Sequence, residues 1–570
     1  MDEHQITDRV EGGRVEPGIM TQPAQTAATS PAARPAPPPR RRKWRLWMPL
    51  LLVVLWCGLL AFIRYGPLPD DAAMRNVSAQ AAYALTLLLL GVWFVFFSGR
   101  PWPIRLAVGG SALLLIVGFL ALFEVDGAWG DMWLHFRFRW GKPRELATLP
   151  GLATTGRDAT IQPGDFTQFL GPDRNATVRG IRLDPDWAAH PPHELWRTTD
   201  VGAGWGAFAV AGDLAITQEQ RDREEVIVAR DRKTGKPVWS HANTVRFVDT
   251  THMGGDGPRA TPTIASFPNG SLGTRVFAHG STGILDCLDA STGQLLWSQD
   301  TLGKSSEGNI QWGVSASPLV IEKLGLVVIS LGSGGADGTL AAYDVKTGDR
   351  KWVAGADMAS YASPMLATLG GKEQIVMIND QSVTGHDPAD GKVLWDYKWK
   401  QTPAKASQPP VLPGDRLLLT ADYGAPGVLL HVKHDGDQWT TEEIWTTQHM
   451  RTKFTTPVVR GHYAYGLDDD ALACIDLDDG GKQVWRAPRT DHAGFGQVLL
   501  VEDLLIVQAE RGDVELVKVD PSGYQKLGAL HAFGGKTWNN PALAGNQLFV
   551  RNDQEAACYE LTAIPTAAAK

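Results

Sequence analysis

A short pattern returns along the chain and constrains the fold more than any other feature of the sequence. Residues 289–297 read DASTGQLLW; close copies end at Trp239, Trp352 and Trp395, and a copy with one inserted residue ends at Trp485. The tryptophans of the repeat follow one another at intervals of 40 to 58 residues, at positions Trp196, Trp239, Trp297, Trp352, Trp395, Trp445 and Trp485. This period is typical of β-propellers, in which each repeat forms a blade of four antiparallel strands.

The local sequence inside each repeat predicts those four strands. A short strand containing proline comes first, then an apolar strand, then a strand ending at an aspartate, and finally a tight turn and a strand that reaches the tryptophan. In the copy at 289–297, we expect Asp289 to accept hydrogen bonds from turn amides and Gly293 to supply the positive φ of the hairpin. Trp297 should fill the wedge between neighbouring sheets. The motif is therefore interpreted as structural, with no catalytic role.

The ends of the repeat region predict how the ring closes. Residues 429–445 and 516–527 are weaker copies, and the last unit, residues 538–561, supplies only three strands. Residues 193–196 (HELW) read as a fourth strand with no three before it, so pairing the two would close the ring and remove exposed edges. The predicted fold is an all-β, eight-bladed propeller, with seven blades as the alternative if a weak copy is miscounted.

Three apolar runs precede the repeats, at residues 46–63, 79–97 and 106–123. Each has about 18 residues, and at ~1.5 Å per residue this length spans the hydrocarbon core of a membrane. The alternative is a cleaved signal peptide followed by buried helices. Basic residues cluster at 40–45, and Arg100 and Arg105 follow the second run, so these two segments are expected to face the cytoplasm and the propeller to lie on the other side.

The chain is thus predicted to have four parts. They are a disordered cytoplasmic tail (1–45), three transmembrane helices (46–124), a lead-in segment (125–192) and the propeller (193–564). The net charge of −8 gives no support for nucleic-acid binding. Of the four cysteines, Cys57 lies in the first apolar run, and Cys287, Cys474 and Cys558 occupy one repeat position in different units. Because such positions in separate blades are too far apart to bridge, the three are expected to be buried free thiols.

These repeats resemble the PQQ-like repeat family of β-propellers, whose blades carry a D-x-x-T-G-x-x-x-W hairpin. The resemblance covers roughly residues 196–562, and the segments GPRATPT, QWGVSASPLV, YASP, FTTPVV, KTWNNPALAG and DFTQFLGPDRN are similar to those of BamB-like bacterial proteins. It implies a bacterial protein of the inner membrane with a periplasmic or extracellular propeller. Such a protein would be a non-catalytic binding or scaffold module, with a possible protein partner on the propeller face.

The alternative that the family implies is a quinoprotein oxidoreductase that acts on an alcohol or sugar. Such an enzyme holds pyrroloquinoline quinone (PQQ) and Ca²⁺ in the central funnel and needs a base and several oxygen ligands. Asp256, Glu307 and Asn309 are the nearest candidates, and His252 is a lone loop histidine. The chain has neither an adjacent cysteine pair nor a CxxCH haem motif. We therefore expect no cofactor and no metal site, with PQQ and Ca²⁺ as the alternative.

In propellers of this family the proline-bearing strand is innermost, so residues just before it line one mouth of the channel. Counting three residues back from each proline gives Arg259, Ser315, Tyr361, Ser407, Phe454 and Trp538. The equivalents in the blades without this proline are Trp205 and Phe495, and the neighbours are Trp312, Lys453, Asn539 and Asn540. The predicted ligand-binding set is Trp205, Arg259, Trp312, Tyr361, Lys453, Phe454, Phe495, Trp538 and Asn540. Such a ring could bind a flat, anionic ligand by stacking and charge, or it could simply plug the channel.

Overall fold

The structure, a computed structural model, contains three helices, a small hairpin and an eight-bladed β-propeller. It describes residues 44–66, 71–141, 144–153, 156–251, 253–267, 272–303, 308–332 and 338–565. His252 and Glu307 lie outside the described residues, as does the predicted tail up to residue 43. The last two residues of the tail begin the first helix. The predicted fold class, eight blades behind three apolar helices, is confirmed.

The helices follow the three apolar runs. Helix α1 spans Trp44–Tyr65 and α2 spans Ala72–Val92, which continues as a π-helical turn at Trp93–Phe97; α3 spans Trp102–Leu122. All three are long and apolar enough to cross a membrane, and at most 6% of each apolar window is buried within the structure. Asp71 directly precedes α2, and its side chain accepts the Met74 N–H at 2.8 Å and caps the helix.

A β-hairpin follows α3 without a linker. Its strands are Phe123–Ala128 and Leu134–Phe138, and they pair with each other and with no further strand among the described residues. We call this element, with its connecting turn, the mouth hairpin. The sequence analysis placed it in the lead-in segment and did not predict it.

The eight blades each have four antiparallel strands, ordered from the channel outward. Blade 1 consists of Ala209–Ala211, Leu214–Arg221, Glu224–Asp231 and Pro237–Asn243, and blade 2 consists of Thr263–Ser266, Thr274–His279, Ile284–Asp289 and Leu295–Asp300. Blade 3 consists of Leu319–Ile321, Leu326–Ser330, Leu340–Asp344 and Arg350–Ala354, and blade 4 consists of Met365–Leu369, Lys372–Ile378, Ser382–His386 and Val393–Lys398. Blade 5 consists of Val411–Leu412, Arg416–Leu419, Gly427–Asp435 and Gln438–Thr447, and blade 6 consists of Val458–Arg460, Tyr463–Asp468, Ala471–Asp476 and Lys482–Arg486. Blade 7 consists of Gln497–Val501, Leu504–Gln508, Asp513–Lys518 and Lys526–His531, and blade 8 consists of Ala542–Ala544, Gln547–Arg551, Ala556–Glu560 and His193–Thr198.

The ring closes as the sequence predicted. The outermost strand of blade 8 is His193–Thr198, and it pairs with Ala556–Glu560 so that Trp196 faces Cys558 and His193 faces Glu560. All four cysteines are free, and the three in the propeller are buried, as expected. Two short strands, Arg182–Leu183 and Ala563–Ile564, pair beside this closure.

The repeat motif works by joining each blade to the next. Asp289 accepts the N–H groups of Ser291 at 3.1 Å and Thr292 at 2.9 Å, which fixes the turn. The indole of Trp239, in the preceding blade, donates to the Ala290 carbonyl at 3.0 Å and covers Gly293. A Cβ on Gly293 would lie 2.6 Å from that indole, so glycine is required both for its positive φ of 78° and for the close approach of the ring. The predicted roles of aspartate, glycine and tryptophan are thus confirmed.

One detail of the predicted repeat is wrong. The repeat prolines do not lie inside the innermost strands but before them; for example, Pro262 precedes Thr263–Ser266 and Pro318 precedes Leu319–Ile321. The physical reason is that proline has no N–H to donate to the strand ladder.

The residues before these prolines instead link the blades around the channel. The Thr261 N–H donates to Ser317 Oγ at 2.9 Å, and the Ser317 N–H donates to Ser363 Oγ at 2.9 Å. The Ser363 N–H donates to Gln408 Oε1 at 3.2 Å, and the Gln408 N–H donates to Thr456 Oγ1 at 3.0 Å. We call these five residues, Thr261, Ser317, Ser363, Gln408 and Thr456, the belt. Its hydrogen bonds satisfy buried backbone amides that lie outside the strands.

Candidate functional site

A cavity of about 290 Å³ lies at one mouth of the central channel. All nine residues of the predicted ligand-binding set line it: Trp205, Arg259, Trp312, Tyr361, Lys453, Phe454, Phe495, Trp538 and Asn540. They come together because each precedes the innermost strand of its blade, or flanks that position, and the eightfold ring brings equivalent positions to one circle. Their convergence is a property of the structure, whereas ligand binding by them stays a prediction.

Two other residues named in the sequence analysis, Ser407 and Asn539, do not line the cavity. Ser407 is buried and bonds to Thr420 Oγ1 at 3.0 Å, and Ala406 takes its place in the cavity wall. The reason is that blade 5 has two consecutive prolines, Pro409 and Pro410, and Ser407 was counted from Pro410. The repeat proline is Pro409, which follows the belt residue Gln408, so the repeat position is Ala406. Asn539 is also buried away from the cavity, where its amide donates to the carbonyls of Gly204 at 3.1 Å and Gly206 at 2.9 Å.

Aromatic rings form most of the wall. The ring centroids of Trp205 and Trp538 are 5.5 Å apart, and Phe454 lies 5.0 Å from Trp538 and 5.8 Å from Phe495. On the other side, Trp312 and Tyr361 form a second pair at 5.3 Å. These distances are those of favourable aromatic contacts, so the rings hold one another in place and present apolar faces inward.

The first predicted cation of the site, Lys453, is already surrounded by carboxylates. Its ammonium lies 2.5 Å from Asp422, 3.4 Å from Asp469 and 3.5 Å from Asp71, the residue that caps α2. Burial acts to lower the pKa of Lys453, but the carboxylates of Asp469 and Asp422 outweigh it, and the pKa is raised. The ammonium therefore stays charged, and its charge is neutralised by the protein.

One ammonium cannot satisfy three carboxylates equally. Asp422 lies nearest to it, whereas burial raises the pKa of Asp469 to about 6 in spite of the attraction of Lys453. Asp469 also accepts the N–H of Ala72, in the first turn of α2, at 3.0 Å. This cluster thus ties the start of α2 to the loops of blades 5 and 6.

The second predicted cation, Arg259, is bound by backbone carbonyls. Its guanidinium donates to Trp312 O at 2.7 Å, Gly254 O at 3.1 Å and Gly255 O at 2.7 Å. Burial lowers the pKa of Arg259 to about 10, which still leaves it charged at neutral pH. Arg259 therefore fixes the loop between blades 1 and 2, and three of its five N–H donors are used in doing so.

Two charged residues of the mouth were missed by the sequence analysis. Glu510 is 3% exposed and accepts the Gly130 N–H at 2.5 Å and the Trp538 indole N–H at 2.8 Å. Burial raises the pKa of its carboxyl. Lys536 lies 4.2 Å from the Trp538 ring and 5.0 Å from the Trp205 ring, and burial lowers its pKa to about 8. Both residues lie outside the counted position, and only their closeness to predicted aromatic residues could have indicated them.

The turn of the mouth hairpin and the start of α2 cover this mouth. Ala73, Ala128, Trp129, Gly130 and Met132 all line the cavity. A Cβ on Gly130 would lie 2.2 Å from the Phe495 ring, so the close contact requires glycine there. We call residues 71–73 and 128–132 the mouth cover. It connects the apolar helices to the propeller through the carboxylates of Asp469 and Glu510.

The lead-in segment forms the floor of the cavity. Phe169 lines the cavity from below, and Arg174 lies with its guanidinium 6.0 Å from that ring. Arg174 is 3% exposed and donates to the carbonyls of Ser317 at 3.0 Å and Pro318 at 2.9 Å. Thr177–Val178 then pairs with the innermost strand of blade 7, so the segment crosses the channel from blade 3 to blade 7.

Two of the three candidate residues for a PQQ and Ca²⁺ site do not line the cavity, and the third, Glu307, lies outside the described residues. Asp256 accepts the Asp249 N–H at 2.9 Å and Arg246 at 3.2 Å, Asn309 donates to Ser281 O at 2.7 Å, and neither lines the cavity. Of the carboxylates at the mouth, Asp71, Asp422 and Asp469 surround Lys453, and Glu510 accepts the N–H groups of Gly130 and Trp538. Across the described part of the chain, no group of three histidine, cysteine, aspartate or glutamate side chains could hold a metal ion.

Comparisons with known proteins agree with this architecture. A family model described as "Outer membrane protein assembly factor BamB" matches residues 223–487. The assembly factor BamB of Shewanella oneidensis is 22% identical over 382 residues, which cover 63% of this chain and 86% of that protein. The lanthanide-dependent methanol dehydrogenase of Methylacidiphilum fumariolicum is 30% identical over 132 residues, which cover 22% of this chain and only 19% of that enzyme.

Among solved structures, a europium-containing methanol dehydrogenase matches with a TM-score of 0.40 and 11% identity, and the match covers 70% of this chain and 98% of that one. The repeat hairpins and the closed ring of eight blades show a β-propeller, and the family model that matches residues 223–487 supports a PQQ-like repeat propeller.

Proposed function

We propose that this chain is a membrane-anchored, exocytoplasmic propeller that acts as a non-catalytic binding or scaffold module, as its similarity to BamB suggests. Three helices of membrane-spanning length and composition precede the propeller. The similarity to the outer membrane protein assembly factor extends over 86% of that protein, whereas the similarity to the methanol dehydrogenase is confined to 19% of the enzyme.

The observation that carries the proposal is the state of the channel mouth. The mouth cover lies over the cavity, Lys453 is neutralised by three carboxylates, and Arg259 is bound by three carbonyls. A dehydrogenase needs an accessible pocket with a base and a cation site that await ligand and substrate. Here the charged groups of the mouth hold the protein together, which supports a structural use of the funnel.

A protein partner would then bind where the propeller is free. Leu296 in blade 2 is 41% exposed directly before a repeat tryptophan, and the neighbouring blades 5 and 6 carry Ile444, 46% exposed, and Val484, 43% exposed, at the same position. We propose the rim of blades 5 and 6 as the partner-binding surface. Photo-cross-linkers at Ile444 and Val484 should give one discrete adduct in the native cell envelope. A cross-linker at Leu115, which is 75% exposed in α3, is the control for general membrane contacts.

The cavity itself suits a flat, neutral, aromatic ligand better than an anion. Its walls are rings, and both predicted cations are satisfied by the protein. The proposed binding residues are those of the predicted set, with Trp205, Trp538 and Tyr361 as stacking surfaces. Trp538→Ala should weaken such a ligand, and Trp297→Ala, which removes a buried tryptophan far from the cavity, should change only stability.

The decisive experiment tests for turnover. The purified full chain, supplied with PQQ and either Ca²⁺ or a lanthanide, should show no dye-linked oxidation of alcohols or sugars. Turnover that disappears in Asp256→Asn would overturn the proposal and establish the oxidoreductase alternative. Failure of both rim cross-linkers to give more adduct than the Leu115 control would remove the partner-binding surface.

A further inference from the structure

The mouth hairpin has one apolar face and one charged face. Its register pairs Phe123 with Phe138 and Val125 with Phe136, so these four side chains share a face. On the other face Arg137 lies 2.7 Å from Glu124 and 3.4 Å from Asp126. A two-stranded hairpin is at best marginally stable in water, so a hairpin of this kind needs something to cover its apolar face.

That face is exposed in the structure. Its members include Val125, Leu134, Phe136 and Phe138, which are 43%, 45%, 46% and 49% exposed. A continuous apolar surface of this kind is unusual for a protein face that meets water.

The apolar face continues the surface of α3 without a break. The Phe119 ring, on α3, lies 5.0 Å from the Phe123 ring and 5.2 Å from the Phe136 ring. The apolar window of α3 is 0% buried within the structure, so its surface is available to lipid. The hairpin starts at the residue after α3 ends, and its base therefore lies at the end of that span.

The end of α3 carries the residues that anchor spans at a membrane interface. The Arg139 N–H donates to the Leu122 carbonyl at 2.7 Å, and the Trp140 indole N–H donates to the Ala121 carbonyl at 3.2 Å. These contacts satisfy helix-end carbonyls that would otherwise lack partners near lipid. Tryptophan and arginine are the usual residues at this depth.

We propose that the mouth hairpin lies in the bilayer interface, with its apolar face in the acyl region of the leaflet and its charged face toward the headgroups. Its base would then be held by lipid while its turn is held in the channel mouth, so that the bilayer fixes the mouth of the propeller close to the membrane surface. The charged face is internally paired, so the contact is with acyl chains and does not depend on anionic lipid. The inference rests on the membrane-spanning role of α3 in the proposed function.

The test is site-directed spin labelling of the full chain in nanodiscs of zwitterionic lipid. The Cys57→Ala background removes the exposed cysteine, and the remaining cysteines are buried. Single cysteines replace residues 135, 136, 137 and 138 in turn, and the collision rates with oxygen, which partitions into lipid, and with a polar nickel chelate are measured. Positions 136 and 138 should show a several-fold higher ratio of oxygen to nickel collisions than 135 and 137.

Two control labels separate the possible failures. Leu115, in α3, should collide mainly with oxygen, and Lys482, whose side chain is 71% exposed on the propeller, should collide mainly with nickel. If Leu115 fails, the membrane-anchored function falls, and the inference falls with it. If Leu115 behaves as expected but positions 136 and 138 collide with nickel, or with neither reagent because protein covers them, the hairpin proposal alone is overturned. A requirement for anionic lipid would also refute it.

Discussion

Replacing Glu510 with alanine should release the mouth cover from the propeller. The carboxylate accepts the Gly130 N–H at 2.5 Å, the Trp538 indole N–H at 2.8 Å and the Phe495 N–H at 3.4 Å. In Glu510→Ala the first two donors lose a good acceptor in a buried environment. The matched control is Glu510→Gln, which keeps an amide oxygen in the same place.

The magnitude follows from these contacts. Leaving a buried donor without a partner costs about 1–3 kcal/mol, so two donors give roughly 2–6 kcal/mol. The alanine variant also avoids the cost of burying a carboxylate, which is the reason that the pKa of Glu510 is raised, and a water in the new space could recover part of the loss. A net cost of about 2–4 kcal/mol would lower the docked-to-undocked ratio by roughly 30- to 1,000-fold.

Hydrogen exchange in nanodiscs reports the loss of this contact, because the Gly130 N–H is bound by Glu510 and loses its acceptor in the alanine variant. Exchange at Gly130 should accelerate by at least this factor in Glu510→Ala and by less than about tenfold in Glu510→Gln. The strand Leu326–Ser330 in blade 3 serves as the unaffected reference. Unchanged exchange in the alanine variant, or equal acceleration in both variants, would refute the role given to Glu510.

Three further predictions concern charge, packing and topology. Burial gives Asp469 a folded-state pKa of about 6, against about 3.9 in an unfolded chain, so the folded state binds its proton more tightly. Its contribution should lower the free energy of unfolding by roughly 3 kcal/mol as pH rises from 3 to 7, and denaturation of Asp469→Asn at several pH values should show that this dependence is lost. Trp239→Ala should lower stability by about 3–5 kcal/mol in thermal unfolding, because this fully buried indole joins blades 1 and 2, whereas exposed Val484→Ala should not. Alkaline phosphatase fused after residue 150 should be active, and activity of only a cytoplasmic reporter there would contradict the three-span topology.

The parts of the fold that the sequence predicted are those that depend on repetition and short-range geometry. The turn residues Asp289 and Gly293 are neighbours in sequence, and their contacts recur in each blade, so one copy explains the others. Ring closure was predictable because an incomplete last unit and a lone strand at 193–196 require each other. The cavity residues were predictable for the same reason, since a repeated position on a closed ring maps to one circle.

The remaining features depend on contacts between segments far apart in the chain. Glu510 binds Gly130 across 380 positions, and Asp469 binds Ala72 across 397 positions. No local pattern marks either carboxylate. The mouth hairpin did leave a signal, because FEVDGA and LHFRF both alternate apolar and polar residues, and the serine or threonine before several repeat prolines was a sign of the belt.

These long-range contacts change how the funnel should be interpreted. From the sequence alone, Arg259 and Lys453 were predicted to face the pocket as cations beside aromatic rings, which favours an anionic ligand. With the mouth cover in place, the capping aspartate of α2 lies 3.5 Å from Lys453, and Asp469 accepts the Ala72 N–H at the start of that helix. Asp469 and Glu510 are therefore explained by their contacts with the mouth cover. In the proposed function, a propeller attached in this way would meet a partner through its outer strands.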